Sequence, residues 1–403
     1  MNRTTRVLPL LLGLLAVPHQ ASANAGTPLL WAGMIHLTVG NAVIGVVEGL
    51  LLGWWFGLPR ARAIAVMIVA NYASAWLGGV LIGGAIAGSL PTDLNSGWRW
   101  LWGMVGITYC LTLLLELPFV AWLFRATHGG LNRILRASLA IQSVSYLLLF
   151  GCYWMASDTS LYTQVKVVRA SDLSLPQSVQ IYYIDSSDGH IYQRGIRGSG
   201  NRKIMELHSA DVNDRLFVRS SDANPDRWDL VARLETRDRR GPKVVPILTN
   251  MDVDAAPDWR TVRADPTKYP GTSVIFGSVS PLGSAATSPW EFRTGSYPVQ
   301  GLRAARRATG ENFHFSYETP FGAWAVRNAV HLPSDKVLFQ LGANQICVFD
   351  PASRRVALLW RGRGPVPIIE RHPPNPADQP TGSDRSDGAA SRPNGRSTRV
   401  TEE

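Results

Sequence analysis

The stretch NAVIGVVEGLLLGWWFG, Asn41 to Gly57, decides the fold. Small residues recur at every fourth position: Asn41, Gly45, Gly49, Gly53 and Gly57. On a helix this spacing forms one face, and small-xxx-small faces let two helix backbones approach closely inside a membrane. Everything around that face is apolar except Glu48, which borders it. The apolar run extends over about 29–58, more than the ~20 residues a helix needs to cross a bilayer.

Three further runs have that length, about 61–88, 98–124 and 134–156. Each carries one strongly polar residue: Asn71, Glu116 and Gln142. With Glu48, all four lie eight or nine residues from the arginine-rich end of their helix. At about 1.5 Å per residue that is near the middle of a ~30 Å hydrocarbon core. Polar groups at such depth are costly unless they meet one another or a ligand. The spacing predicts a four-helix transmembrane bundle with one polar layer, Glu48, Asn71, Glu116 and Gln142. Asn41, Ser74, Thr112 and Ser145 lie one or two turns away and supply a supporting polar stripe.

Three readings of the layer compete. Interhelical hydrogen-bond glue is the plainest, and amides alone can provide it. Two carboxylates exceed that need and point to a proton, cation or polar-ligand site, since two such groups in one low-dielectric layer do not both carry charge easily. Pro118 would free a backbone carbonyl near Leu114 as a further ligand. An intramembrane enzyme is the third reading, supported by the carboxylates alone. His36, one turn into the first span, is expected to contact water.

Topology follows from two cues. Arg3 and Arg6, the apolar run from Val7 to Val17 and the small residues at 21–25 resemble a secretory signal cleaved near residue 25. The loops holding Arg60 and Arg62, and Arg125, Arg133 and Arg136, are basic, whereas the 89–97 loop has no Lys or Arg. Both cues put residues 157–403 on the extracytoplasmic side of a bacterial-type plasma membrane. Trp98, Trp100 and Trp102 fit an outer aromatic belt.

Beyond residue 156 the pattern shortens to alternating runs that predict strands. Ile181–Ile184 turns through Asp185–Gly189 into His190–Tyr192. Arg215–Val218 leads into Trp228–Val231, and Val337–Leu341 into Gln345–Phe349 and then Val356–Trp360. The stretch from Lys336 to Pro365 resembles a β-propeller blade. That resemblance covers at most 165–370 and implies four or five blades of about 40–50 residues. A β-sandwich is the alternative. The fold class is thus α+β and multidomain: a signal peptide (1–25), a membrane bundle (26–156), an extracytoplasmic all-β domain (157–371) and a disordered Pro/Ser/Gly-rich tail (372–403).

The net charge of +10 comes partly from the loops, and only five of the 40 basic residues are lysines. Arg303, Arg306 and Arg307 form the densest basic cluster of the outer half. A nucleic-acid partner is not expected there. Three isolated cysteines, Cys110, Cys152 and Cys347, make no predicted disulfide. The acidic turn Asp185, Asp188 and Gly189 lacks a calcium-loop series, and His314 and His331 lack zinc spacing. The aromatic segment Phe313, Phe315, Tyr317, Phe321 and Trp324 reads as core or as a pocket lining. No nucleophile elbow, metalloprotease, Walker or dinucleotide motif occurs, so neither an enzyme nor a cofactor is expected. The expected function is binding or sensing of an extracytoplasmic ligand or envelope partner by a protein held in the lipid bilayer. The alternative is a small transporter or ion-coupled protein working through the polar layer.

Overall fold

A computed structural model describes residues 28–78, 85–86, 93–127, 130–157, 160–221, 223–235, 242–257, 277–295 and 301–371. The signal sequence, the last part of the second span and the tail lie outside the described residues.

Helices α1 (Pro28–Phe56), α2 (Arg60–Gly78), α3 (Gly97–Phe124) and α4 (Leu131–Met155) are long and apolar enough to cross a membrane. They pack in a ring, α1 on α2, α2 on α3, α3 on α4 and α4 back on α1. Each buries one stripe at helical spacing, for example Asn41, Gly45, Glu48, Gly49 and Leu52 on α1. The outward faces are the apolar ones: Trp54 is 73% exposed and Leu147 71%. A bundle with polar groups inside and bare hydrocarbon outside suits lipid as its solvent.

The glycine face of α1 lies directly on α2. A Cβ added at Gly45 would fall 2.5 Å from the Ile68 Cα, and one at Gly49 would fall 2.4 Å from the Ile64 Cα. Only a residue without a side chain permits this backbone contact. α3 continues as a helix through Pro118. Leu114 is 67% exposed and so points away from the bundle centre.

The rest of the described chain is mostly β-structure. The predicted hairpins form as antiparallel pairs: Val179–Asp185 with Ile191–Gly195, Arg215–Ser220 with Trp228–Leu234, and Lys336–Leu341 with Gln345–Asp350. The first and third share one sheet, and the second lies in a separate three-stranded sheet with Lys243–Met251. One curled, half-barrel sheet of ten strands runs through the domain. The cause is the sixteen-residue strand Arg355–Glu370, which pairs with Gln345–Asp350 along its first part and with Val179–Asp185 along its second. Its register shifts between Arg363 and Val366. Gly364 there adopts φ +54 and a Cβ on it would meet the Arg215 Cα at 2.6 Å, so glycine is required where the strand bends.

The central strands are buried on both faces. Val337, Phe339 and Leu341 enter one core with Cys347, Phe349 and Phe315. The alternate residue Leu338 enters another with Val330, Ile346 and Val348. This two-residue alternation explains why the run is apolar throughout. The strands Trp290–Thr294, Leu302–Arg306 and Glu311–Phe315 supply the cover of the first core. The strands Arg215–Ser220, Trp228–Leu234 and Lys243–Met251 cover a third, built on Tyr182, Ile184, Val366 and Ile368.

His331 is 4% exposed, and its ring lies edge-on to Phe292 at 4.7 Å between centroids. Burial lowers its pKa to about 4, although Asp335 3.8 Å away pulls it upward. The unfolded chain therefore binds this proton near pH 6.5 and the folded chain only near 4. Stability from this group is complete above pH 6.5 and is lost as pH falls through that interval, by up to roughly 3 kcal/mol. His331→Gln should show a smaller loss of denaturation midpoint between neutral and mildly acid buffer than the parent. An equal loss in both would remove His331 as the cause.

Candidate functional site

The structure brings Glu48, Asn71, Glu116 and Gln142 to the centre of the bundle, and all four are buried. They are joined through two serines of the supporting stripe. The Asn71 amide Nδ2 donates to Glu48 Oε2 at 2.5 Å, and Ser145 Oγ donates to Glu48 Oε1 at 2.5 Å. Ser74 Oγ donates to Glu116 Oε1 at 2.5 Å, and the Gln142 amide Nε2 donates to Glu116 Oε2. Each carboxylate thus takes one bond from α2 and one from α4. The four helices are tied at a single depth by four hydrogen bonds, none of them directly between the two glutamates.

The two donors on each carboxylate differ in kind. An amide N–H can only donate, whereas a hydroxyl can also accept. Each serine has a second acceptor within reach: the Ile141 carbonyl is 3.1 Å from Ser145 Oγ, and the Asn71 carbonyl is 3.1 Å from Ser74 Oγ. A serine that turns its proton to that carbonyl frees its lone pairs for a protonated carboxyl. Each carboxyl can therefore keep its partners in either protonation state, with the serine bonds re-aimed. A neutral glutamine fits it by the same logic.

The surroundings are asymmetric. Toward the arginine-bearing loops the interior is apolar, filled by Leu52, Met67, Val120, Phe124 and Ile141. Toward the β-domain it is polar. Thr112 Oγ1 lies 3.0 Å from Tyr146 OH. His36 Nδ1 lies 2.9 Å from Tyr153 OH, in a π-helical turn of α1, His36–Gly40. Asn41 bonds the Leu37 carbonyl at 3.4 Å and Thr112 the Thr108 carbonyl at 2.9 Å, so neither touches the glutamates.

The same helices carry the β-domain. The Leu94 N–H donates to Gln345 Oε1 at 2.6 Å, and Arg361 pairs with Asp93 at 3.0 Å, both just before α3. After α4, the Leu161 N–H donates to the Ser316 carbonyl at 2.7 Å. Leu94 and Leu161 belong to the same apolar core as Phe315, Phe339 and Phe349. Of the aromatic segment, Phe313, Phe315 and Tyr317 are core, and Phe321 meets Trp100 of α3 edge-on at 6.1 Å.

The other candidates are accounted for locally. Asp185 and Asp188 accept bonds from the Ser187 and His190 N–H groups within their hairpin turn. Arg307 pairs with Glu291, Arg303 donates to Asn312 and Arg306 lies over the Trp290 ring. Among the described residues no three His, Cys, Asp or Glu side chains cluster as a metal site. No protein-family model matches the chain, and no curated protein sequence matches it.

Proposed function

We propose that the chain is a plasma-membrane binding or sensing protein whose β-domain faces outward and whose Glu48/Glu116 layer is the two-state element behind it. The basic loops support the orientation: Arg60, Arg62, Arg125, Arg133 and Arg136 all lie on the end away from the β-domain, the cytoplasmic end by the positive-inside rule. One observation carries the reading. α3 and α4 hold one carboxylate cage at their centres and the β-domain at their ends. A proton gained or lost at the cage re-aims the serine bonds that link α2 and α4 to α1 and α3. Any shift of α3 against α4 then reaches the seam at Leu94 and Leu161. A two-state element biased from both ends is the physical content of such coupling. A ligand on the β-domain would act on the cage through the same seam.

The second reading, an ion-coupled transporter, draws on the two buried carboxylates. A transport path needs access from both sides, and the plug of Leu52, Met67, Val120, Phe124 and Ile141 offers no polar step toward the cytoplasmic end. Proteoliposomes holding the full chain should therefore show no proton flux above empty vesicles under an imposed pH gradient. Flux that disappears in Glu116→Gln would replace the sensing reading with the transport one.

A further inference from the structure

The basic cluster most visible in the sequence, Arg303 to Arg307, is held by partners, but a second one is not. A cleft of about 740 Å³ opens where the loop before α3 meets the β-domain, lined among others by Asn95, Lys166, Val167, Arg169 and Arg355. Lys166 and Arg355 are register partners on adjacent parallel strands, so their side chains leave the same face of the sheet. Arg355 also faces Asp350 across its other neighbouring strand, but that carboxylate pairs with Lys336 at 3.0 Å, and like charges placed directly opposite destabilise a strand pair. Among the described residues, none of Lys166, Arg169 and Arg355 has a carboxylate within ion-pair distance. The single acid of the cleft, Asp172, accepts the Arg169 backbone N–H at 3.3 Å. The cleft thus holds three exposed cations against one anion.

Its position names what balances that charge. Asn95 lies three residues before Trp98, which is exposed on α3 together with Trp102, at the end of the span where an aromatic belt marks the headgroup level. Val168, two residues on from Lys166 and so on the same face, packs on an apolar core and gives the cleft a nonpolar floor beneath its cationic rim. A cationic rim over an apolar floor at that depth matches a phosphate group attached to a glycerol ester.

We infer that Lys166, Arg169 and Arg355 form a binding site for the phosphate of an anionic membrane lipid in the leaflet next to the β-domain. The inference rests on the reading that α1–α4 span a bilayer. It specifies one ligand class and one site for the protein's outer half. A bound headgroup would neutralise the Lys166/Arg355 repulsion and fix the β-domain against the membrane surface.

The test uses the purified full chain in neutral detergent with phosphatidylglycerol or phosphatidylcholine of matched acyl chains added. Lipid retained per protein is read by mass spectrometry. The parent should retain phosphatidylglycerol in preference, and K166Q/R169Q/R355Q should weaken that retention at least about tenfold with phosphatidylcholine unchanged. Lys166→Arg should retain it like the parent, which separates charge from folding. Equal phosphatidylglycerol retention by the triple variant and the parent would overturn the site. So would displacement of the lipid by inorganic phosphate at low concentration, which would make a free anion the ligand. A parent that retains neither lipid would instead count against the spanning helices themselves.

Discussion

Gly49→Leu is expected to prevent the bundle from assembling. The new side chain would start 2.4 Å from the Ile64 Cα and 2.5 Å from its amide nitrogen, and backbone atoms cannot swing aside as a side-chain tip can. α1 and α2 must separate by the width of a side chain, and separation pulls Asn71 away from Glu48. Overpacking typically costs about 1–3 kcal/mol, and more where backbone atoms must move, as here. Gly33→Leu on the same helix is the control, because a Cβ there meets nothing within 4 Å. The readout is the thermal midpoint of the detergent-solubilised protein. A Gly49→Leu midpoint equal to that of Gly33→Leu would show that the close contact of α1 and α2 is not what holds the bundle.

Glu116→Leu is expected to destabilise the bundle, and Glu116→Gln is not. Leucine removes the acceptor of two buried donors. Ser74 can turn to the Asn71 carbonyl at 3.1 Å, so the orphan is the Gln142 amide, at roughly 1–3 kcal/mol. Glutamine keeps an oxygen for Gln142 and presents an N–H to Ser74 Oγ, so every bond is remade. Comparison of the two midpoints with the parent tests the cage directly. Equal losses from leucine and glutamine would mean that charge, rather than hydrogen-bond satisfaction, holds the site together.

Much of the membrane half was legible because its signals are local. Helix length, apolar composition and the four-residue glycine spacing can each be read within one span. The equal depth of Glu48, Asn71, Glu116 and Gln142 could be measured by counting from the basic loops. The role of Ser74 and Ser145 could not. Spacing places them one turn from Asn71 and Gln142, but only the rotation of α2 and α4 makes them donors to the carboxylates. Asn41 and Thr112, two turns and one turn from their glutamates, bond elsewhere.

In the β-domain the hairpins were legible for the same local reason, and their assembly was not. Strand Arg355–Glu370 exchanges partners at Gly362, and its second partner, Val179–Asp185, lies far away in the chain. Nothing in the run from Lys336 to Pro365 announces that exchange, so the stretch resembled a closed blade. The cationic cleft was hidden likewise, since Lys166 and Arg355 become neighbours only through the sheet.

The central claim is that the protonation state of the glutamate cage reaches the β-domain seam. Amide hydrogen exchange at Leu94 and Leu161, expressed as protection factors so that the intrinsic pH dependence cancels, reads that seam in the full chain held in lipid nanodiscs. The account predicts protection factors that differ at least about tenfold between acid and alkaline buffer, a shift of roughly 1.4 kcal/mol, in the parent. It predicts a single, pH-independent value when Glu48→Gln and Glu116→Gln are combined. Protection that stays constant in the parent, or that shifts equally in the double variant, would contradict it.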